Sequence, residues 1–236
     1  MDRARSTGFG TEVILLALDC AQRLCAVALY DAESGTVLAR RDPEIGRGHA
    51  ELLPGLVEEV FAGAGLSFAD VDRIAVTVGP GSFAGIRVGV AFARGLAFSL
   101  KIPAVGVSGL YAMAAPLARS AAAPVMATID AKRERIWAAV VAADGATLAD
   151  PAETTAQAAA VLARQLGAAV AGDAVPLILA EDASLKAVDA APFADIAEVA
   201  RIGAGLDPEE NKPEPAYLRA PDAKPQAGFA VERMKA

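Results

Sequence analysis

From residue 13 the apolar residues fall into short blocks: VILLALD (13–19), LCAVALYD (24–31) and GTVLARR (35–41), separated by CAQR and AESG. Blocks of this length bounded by turn residues predict a three-stranded antiparallel meander. The period then changes. In RGHAELLPGLVEEVFAGAGL, Leu52, Leu53, Leu56, Val57, Val60 and Phe61 recur at helical spacing, which predicts an amphipathic helix over about 50–62. Pro54 is expected to kink it or restrict its first turns. FADVD makes a connection to a strand at 73–78. GPGSFAGIR then leads into a long helix at about 83–100, and IPAVGVS (102–108) reads as a short buried strand.

After Gly109 the same grammar returns in weaker form. LYAMAAPLARS predicts a helix, PVMATID (124–130) and RIWAAVVAADG (135–145) adjacent strands, AETTAQAAAVLARQLG (152–167) an alanine-rich helix, and AAVAGD a further strand. From Pro192 a helix is expected to about Gly205, followed by a proline-containing tail. The order β-β-β-α-β-α-β, begun twice, predicts an α/β fold of mixed sheets flanked by helices. The expected division is a first domain at 12–108 and a second, smaller one at 109–225, with tails at 1–11 and 226–236.

Composition narrows the classes. The chain has 236 residues, 54% hydrophobic and 22% charged, so it has material for a packed core and no signature of disorder. The uncharged stretch at 102–117 is broken by Pro103 and Pro116, which argues against a membrane span there. Only six apolar residues follow the arginines of the first eleven positions, too few for a secretory signal, so a cytoplasmic location is expected. Cys20 and Cys25, the only cysteines, read as buried or half-buried thiols of a hairpin. A formal charge of −7 speaks against nucleic-acid binding by the chain alone, and the basic clusters AKRER and ARR read as solvated faces.

Three features are candidates for chemistry. GPGSFAGIR sits between a strand and a helix, where backbone amides can hold an anion. It lacks the Lys-Ser/Thr ending of a P-loop. Its match to G-x-G-x-x-A through Gly79, Gly81 and Ala84 lacks the acidic residue that would hold a ribose, and GSFAG is not a serine-nucleophile elbow. Gly81, Gly85, Gly89, Ala93 and Ala97 instead form a small-residue ridge spaced by four, with Arg87 and Arg94 on nearly one face. Such a ridge packs either on the chain's own sheet or neighbouring helix, or on another subunit. Asp19 and Asp130 each end a strand, one in each expected domain, and would face a cleft holding a magnesium nucleotide or act as ordinary turn formers. His49 is the only histidine, and the fourth residue after it is Leu53, so no helical pair of metal ligands forms.

LALDCAQRLCAVAL, HAELLPGLVEEV, VTVGPGSFAGIRVGVAFARGLA, IPAVGVSGL, IDAKRERIW and EPAYLR occur in the order and character of the TsaB (YeaZ) family, which the chain resembles over about 13–220. The resemblance implies an actin/Hsp70/sugar-kinase-like (ASKHA) fold of two related domains. It also implies a noncatalytic partner of a TsaD-type subunit, in the machinery that makes threonylcarbamoyladenosine beside the anticodon of tRNAs reading codons that begin with A. A TsaE-type ATPase would join, a homodimer would form without TsaD, and tRNA would be met only through the complex. TsaD-like relatives carry a His-x-x-x-His metal pair, which His49 and Leu53 break here. On this resemblance the helices at 49–62 and 83–100 form the partner face through His49, Leu52, Leu53, Leu56, Val60, Gly81, Gly85, Ile86, Arg87, Gly89, Val90 and Ala93. A vestigial nucleotide loop would comprise Asp19, Cys20, Gly79, Gly81, Ser82 and Asp130. Cys20 and Ala84 stand where the family more often has hydroxyl residues, which removes phosphate hydrogen bonds. No cofactor is expected on the chain alone, which leaves ATP or ADP with magnesium at the partner interface. The alternative of another class is an ATPase, phosphotransferase or metallopeptidase-like enzyme of the same fold.

Overall fold

The computed structural model describes residues 13–218; the tails expected at 1–11 and 226–236 lie outside the described residues. Strands β1 (Ile14–Asp19), β2 (Ala26–Asp31) and β3 (Thr36–Arg41) form the antiparallel meander. Helix α1 (His49–Ala64) leads through a 3₁₀ turn at Phe68–Asp70 to β4 (Arg73–Gly79), and α2 (Phe83–Leu100) leads to β5 (Ala104–Ser108). Both later strands add in parallel, giving the order β3-β2-β1-β4-β5. Pro54 lies in the second turn of α1, which continues unbroken to Ala64.

Helix α3 (Gly109–Ala121) opens a second pass: β6 (Val125–Lys132), β7 (Arg135–Val141), β8 (Thr147–Thr154), α4 (Ala156–Leu166), β9 (Ala169–Gly172), α5 (Val175–Glu181) and α6 (Ile196–Gly205). The second sheet has the order β8-β7-β6-β9. Its two antiparallel pairings and one parallel pairing repeat those of β3-β2-β1-β4.

Two elements differ from the sequence expectation. The stretch read as helix from 152 begins as strand β8, and α4 starts only at Ala156, where the Thr155 hydroxyl accepts the Ala158 N–H at 3.2 Å. Pro151 within β8 is tolerated because β8 is an edge strand. Helix α5, seven residues with Pro176 in its first turn, is too short to show a helical period.

Side chains alternate across the first sheet. Leu16, Leu18, Val27 and Leu29 pack under α1 and α2, while Leu15, Ala17, Ala26 and Ala28 face the opposite core. That opposite core is shared: Val199 and Ala200 of α6 and Met113 of α3 meet Ala127, Ile129, Ala139 and Val141 of the second sheet. The layers are therefore α1/α2, first sheet, α6 and α3, second sheet, α4/α5.

A division at residue 108 assigns α6 to the second unit, yet α6 packs on β1, β2 and β4. Gly203 allows this approach, because a β-carbon there would lie 2.5 Å from the Ala75 β-carbon. Arg73 secures the end of the helix by donating from one guanidinium nitrogen to the carbonyls of Gly203, Ala204 and Leu206 at 3.1, 2.9 and 2.9 Å. The chain then crosses the sheet edge, where the Gly106 N–H donates to Asn211 O and the Ala216 N–H to Val78 O, both at 2.8 Å.

Candidate functional site

The glycine-rich turn and the β1–β2 turn are built against each other. The Ser82 N–H donates to Ala21 O at 2.6 Å, and the Ser82 hydroxyl caps α2 by accepting the Gly85 N–H at 3.3 Å. A β-carbon on Gly81 would fall 1.9 Å from Ala21 O, and one on Gly85 2.0 Å from Cys20 O. Gly89 faces the Cys20 side chain and Val76. The ridge therefore packs on the chain's own first sheet, the first of the two readings its spacing allowed.

Most residues of the expected partner face lie in the chain's own core. Gly85, Ile86, Gly89, Val90 and Ala93 form the buried side of α2, and Leu53, Leu56 and Val60 that of α1; all of them point into the core beneath. Gly81 is held under Ala21, and Leu52 is half-buried against the same core. Of the named residues on α2, only Arg87 is exposed.

The outward side of α2 carries another set: Phe83, Ala84, Arg87, Ala91, Arg94 and Phe98, all exposed. Phe83, Arg87, Arg94 and Phe98 fall on one stripe at spacings of 4, 7 and 4 residues. Phe98 is 88% exposed. Arg87 lies over the Phe83 ring at 3.7 Å and donates to the Tyr217 hydroxyl at 2.9 Å, so the segment after α6 reaches this face as well. The adjoining α1 shows Glu51 and Glu58 to solvent. Phe83, Phe98 and Tyr217 escaped the sequence reading, although the apolar stripe opposite the glycine ridge was present in it. Helix α2 is long and apolar enough to cross a membrane, a property shared by core helices, and one third of it is buried.

His49 lies buried at the start of α1, its Nε2 3.0 Å from Leu24 O, and Leu53 one turn on is fully buried among apolar side chains. One ring nitrogen already faces a carbonyl, and a hydrocarbon stands where a second imidazole would be, so these residues do not fit the metal of TsaD-like relatives. Among the described residues, no three His, Cys, Asp or Glu side chains gather to hold a metal.

A cleft of about 270 Å³ opens between the two sheets. Ala21, Gln22, Arg23, Gly81 and Ser82 line it on one side, and Asp130, Lys132, Trp137, Asp173, Pro192 and Phe193 on the other. Asp130 belongs to this cleft, and Asp19 does not. Asp19 is buried behind the turn, where its Oδ1 accepts from the Ala21 N–H at 2.8 Å and the Thr77 hydroxyl at 2.5 Å. Burial raises its pKa above the ordinary 3.8, against the lowering influence of those two hydrogen bonds. The Lys132 ammonium, 2.5 Å from Asp130, holds that carboxyl below the usual range, and the Asp130 N–H donates to Asp173 at 2.7 Å. The two aspartates thus do not face one another across the cleft, and they do not fit a magnesium nucleotide held between them. Asp19 shapes a turn; Asp130 is neutralised by its neighbour.

A family model described as TsaD, tRNA N6-adenosine threonylcarbamoyltransferase, matches residues 42–201. The tRNA threonylcarbamoyladenosine biosynthesis protein TsaB of Escherichia coli (strain K12) is 36% identical over 124 residues, 52% of this chain and 52% of that protein. The chain belongs to the TsaD family, on its TsaB (YeaZ) branch. The TsaB of Haemophilus influenzae is 39% identical over 127 residues, covering 52% of this chain and 51% of the relative. The chain spans about half the length of the curated relatives it matches. A solved structure from Pseudomonas aeruginosa, described as an uncharacterized protein with similarity to peptidase YEAZ, superposes with a TM-score of 0.74. It is 27% identical and covers 88% of this chain and 100% of its own. The fold is the α/β ASKHA type, with two mixed sheets flanked by helices.

Proposed function

We propose that this chain is a noncatalytic subunit in the formation of threonylcarbamoyladenosine on tRNA, pairing with a TsaD-type subunit that performs the transfer. The observation that carries the reading is His49 facing Leu24 O with Leu53 buried in the apolar core one turn on, which leaves no pair of imidazoles to hold a metal on this TsaD-family scaffold. The outward stripe of α2 supports the pairing. Fully burying a side chain such as Phe98 contributes about 2 kcal/mol, and the surrounding Arg87 and Arg94, with Glu51 and Glu58 on α1, offer charges of both signs to fix a register. On this reading the partner covers the outward faces of α1 and α2, a second copy takes its place when the partner is absent, and a TsaE-type ATPase joins the assembly in the cytoplasm. The net charge of −7 favours tRNA contact through the complex alone.

The test is a modification assay on unmodified tRNA with the TsaD- and TsaE-type proteins of the same source, with and without this chain. Modification that depends on this chain, together with no metal and no ATP turnover on the isolated chain, is the expected result. Full modification without it, or stoichiometric metal on the isolated chain, would overturn the reading.

A further inference from the structure

The turn beneath α2 holds both cysteines of the chain. The β1–β2 register runs Leu18↔Val27 and Asp19↔Ala26, so Cys20 and Cys25 are the next directly opposed pair. The Cys25 N–H donates to Pro43 O at 3.0 Å, on the side away from β1. Its peptide group is therefore turned away from Cys20, as in the narrow, non-hydrogen-bonded antiparallel pairing, whose α-carbons are about 4.5 Å apart. Disulfides span α-carbon separations of about 4.4–6.8 Å. The two sulfurs already lie 4.0 Å apart as free, buried thiols.

We propose that Cys20 and Cys25 are a peroxide-responsive dithiol that closes to a cross-strand disulfide in the β1–β2 turn. The sulfurs need to approach by about 2 Å to reach bonding distance, a movement on the scale of side-chain rotation. Either cysteine can open the reaction, since either sulfur can donate in their contact. The thiolate of one cysteine attacks one oxygen of hydrogen peroxide, breaking the O–O bond and releasing hydroxide, which takes up the proton that thiol gave up and leaves as water. The sulfenic acid formed is then attacked by the other thiol; the S–S bond forms, the S–O bond breaks, and that thiol's proton leaves with the second oxygen as water. Two thiols are oxidised and one peroxide is reduced.

Closure acts at a close approach of two backbones. Cys20 O and Ala21 O are the atoms on which Gly85 and Gly81 rest, and Ala21 to Arg23 line the cleft. The proposal does not rest on the partner reading.

The full-length native chain is exposed to excess hydrogen peroxide, quenched, unfolded under non-reducing conditions and assayed for free thiols, then digested with trypsin. Arg23 lies between the cysteines, so cleavage after it leaves two peptides that travel together only when bridged. The expected result is loss of both thiols, appearance of the bridged peptide pair within one chain, and full recovery of both thiols on treatment with dithiothreitol. Retention of both thiols, oxidation of one cysteine to sulfinic acid without a bridge, or disulfides between chains would each overturn the proposal.

Discussion

Gly85 rests directly on the backbone of Cys20: a β-carbon at Gly85 would lie 2.0 Å from the Cys20 carbonyl oxygen. That oxygen is backbone, just past the end of β1, and cannot swing aside as a side chain would. Gly85→Ala is therefore expected to destabilise the fold itself by about 3 kcal/mol, read from urea unfolding. Gly95, on the exposed side of the same helix with nothing within 4 Å of its β-carbon position, is the control. Gly95→Ala is expected to stabilise by up to about 1 kcal/mol. Equal effects of the two substitutions would contradict the close approach.

The outward stripe of α2 makes the opposite prediction. Phe98→Ser removes an exposed ring and should leave unfolding within about 0.5 kcal/mol of the parent, while weakening association with the TsaD-type partner by tenfold or more in a titration. Arg94→Glu is expected to act in the same direction and to make the loss depend on salt. Unimpaired association of both folded variants would remove α2 from the interface.

Asp19 predicts a pH signature. Its folded pKa lies above the ordinary 3.8, so between 3.8 and the folded value the native state keeps a proton that the unfolded chain has released. Across that window its contribution to stability falls as pH rises. Asp19→Asn removes the titration, so the stability of the variant minus that of the parent should increase with pH from about 4 upward. A constant difference in urea unfolding measured across that range would refute the buried carboxylate.

Thr77 stabilises the charged form of Asp19 through its hydroxyl. Thr77→Val is expected to cost about 1–3 kcal/mol, and the loss should grow as pH rises and Asp19 ionises. In the Asp19→Asn background that growth should vanish, which a double-mutant cycle measured at low and neutral pH would detect.

Arg73 ties the end of α6 to the first sheet through three carbonyls. Arg73→Met leaves those acceptors without the charged donor and is expected to cost about 2–4 kcal/mol. Amide hydrogen exchange should rise in α6 and the following segment before it rises in β1.

The first strands were legible as continuous apolar blocks, because both faces of the sheet are covered and Leu15 to Leu18 are all buried, and α1 was legible because a period near 3.6 from Leu53 to Phe61 marks its apolar side. β8 was not legible, since an edge strand holding Pro151 and mostly polar or half-exposed positions has no apolar run to announce it. The order of elements and the repeated meander were also carried by local pattern, and so was the break at Leu53, which is a statement about residue type alone.

What local pattern lacked was the identity of the surface each apolar or small face would meet. The spacing of Gly81, Gly85 and Gly89 specifies that something comes close, but whether that is a partner helix or the Cys20–Ala21 backbone depends on atoms sixty positions away in the chain. The same holds for Asp19, whose hydroxyl donor Thr77 is brought beside it by the parallel pairing of β1 with β4. It holds too for α6, which follows the second sheet in sequence yet packs on the first. The sequence by itself determined most of the elements, their order and the loss of the histidine pair, because these depend on neighbours a few residues apart. Only the tertiary structure decided which face of α2 is spare and which aspartate reaches the cleft, because each depends on contacts set by long-range strand pairing and layer packing.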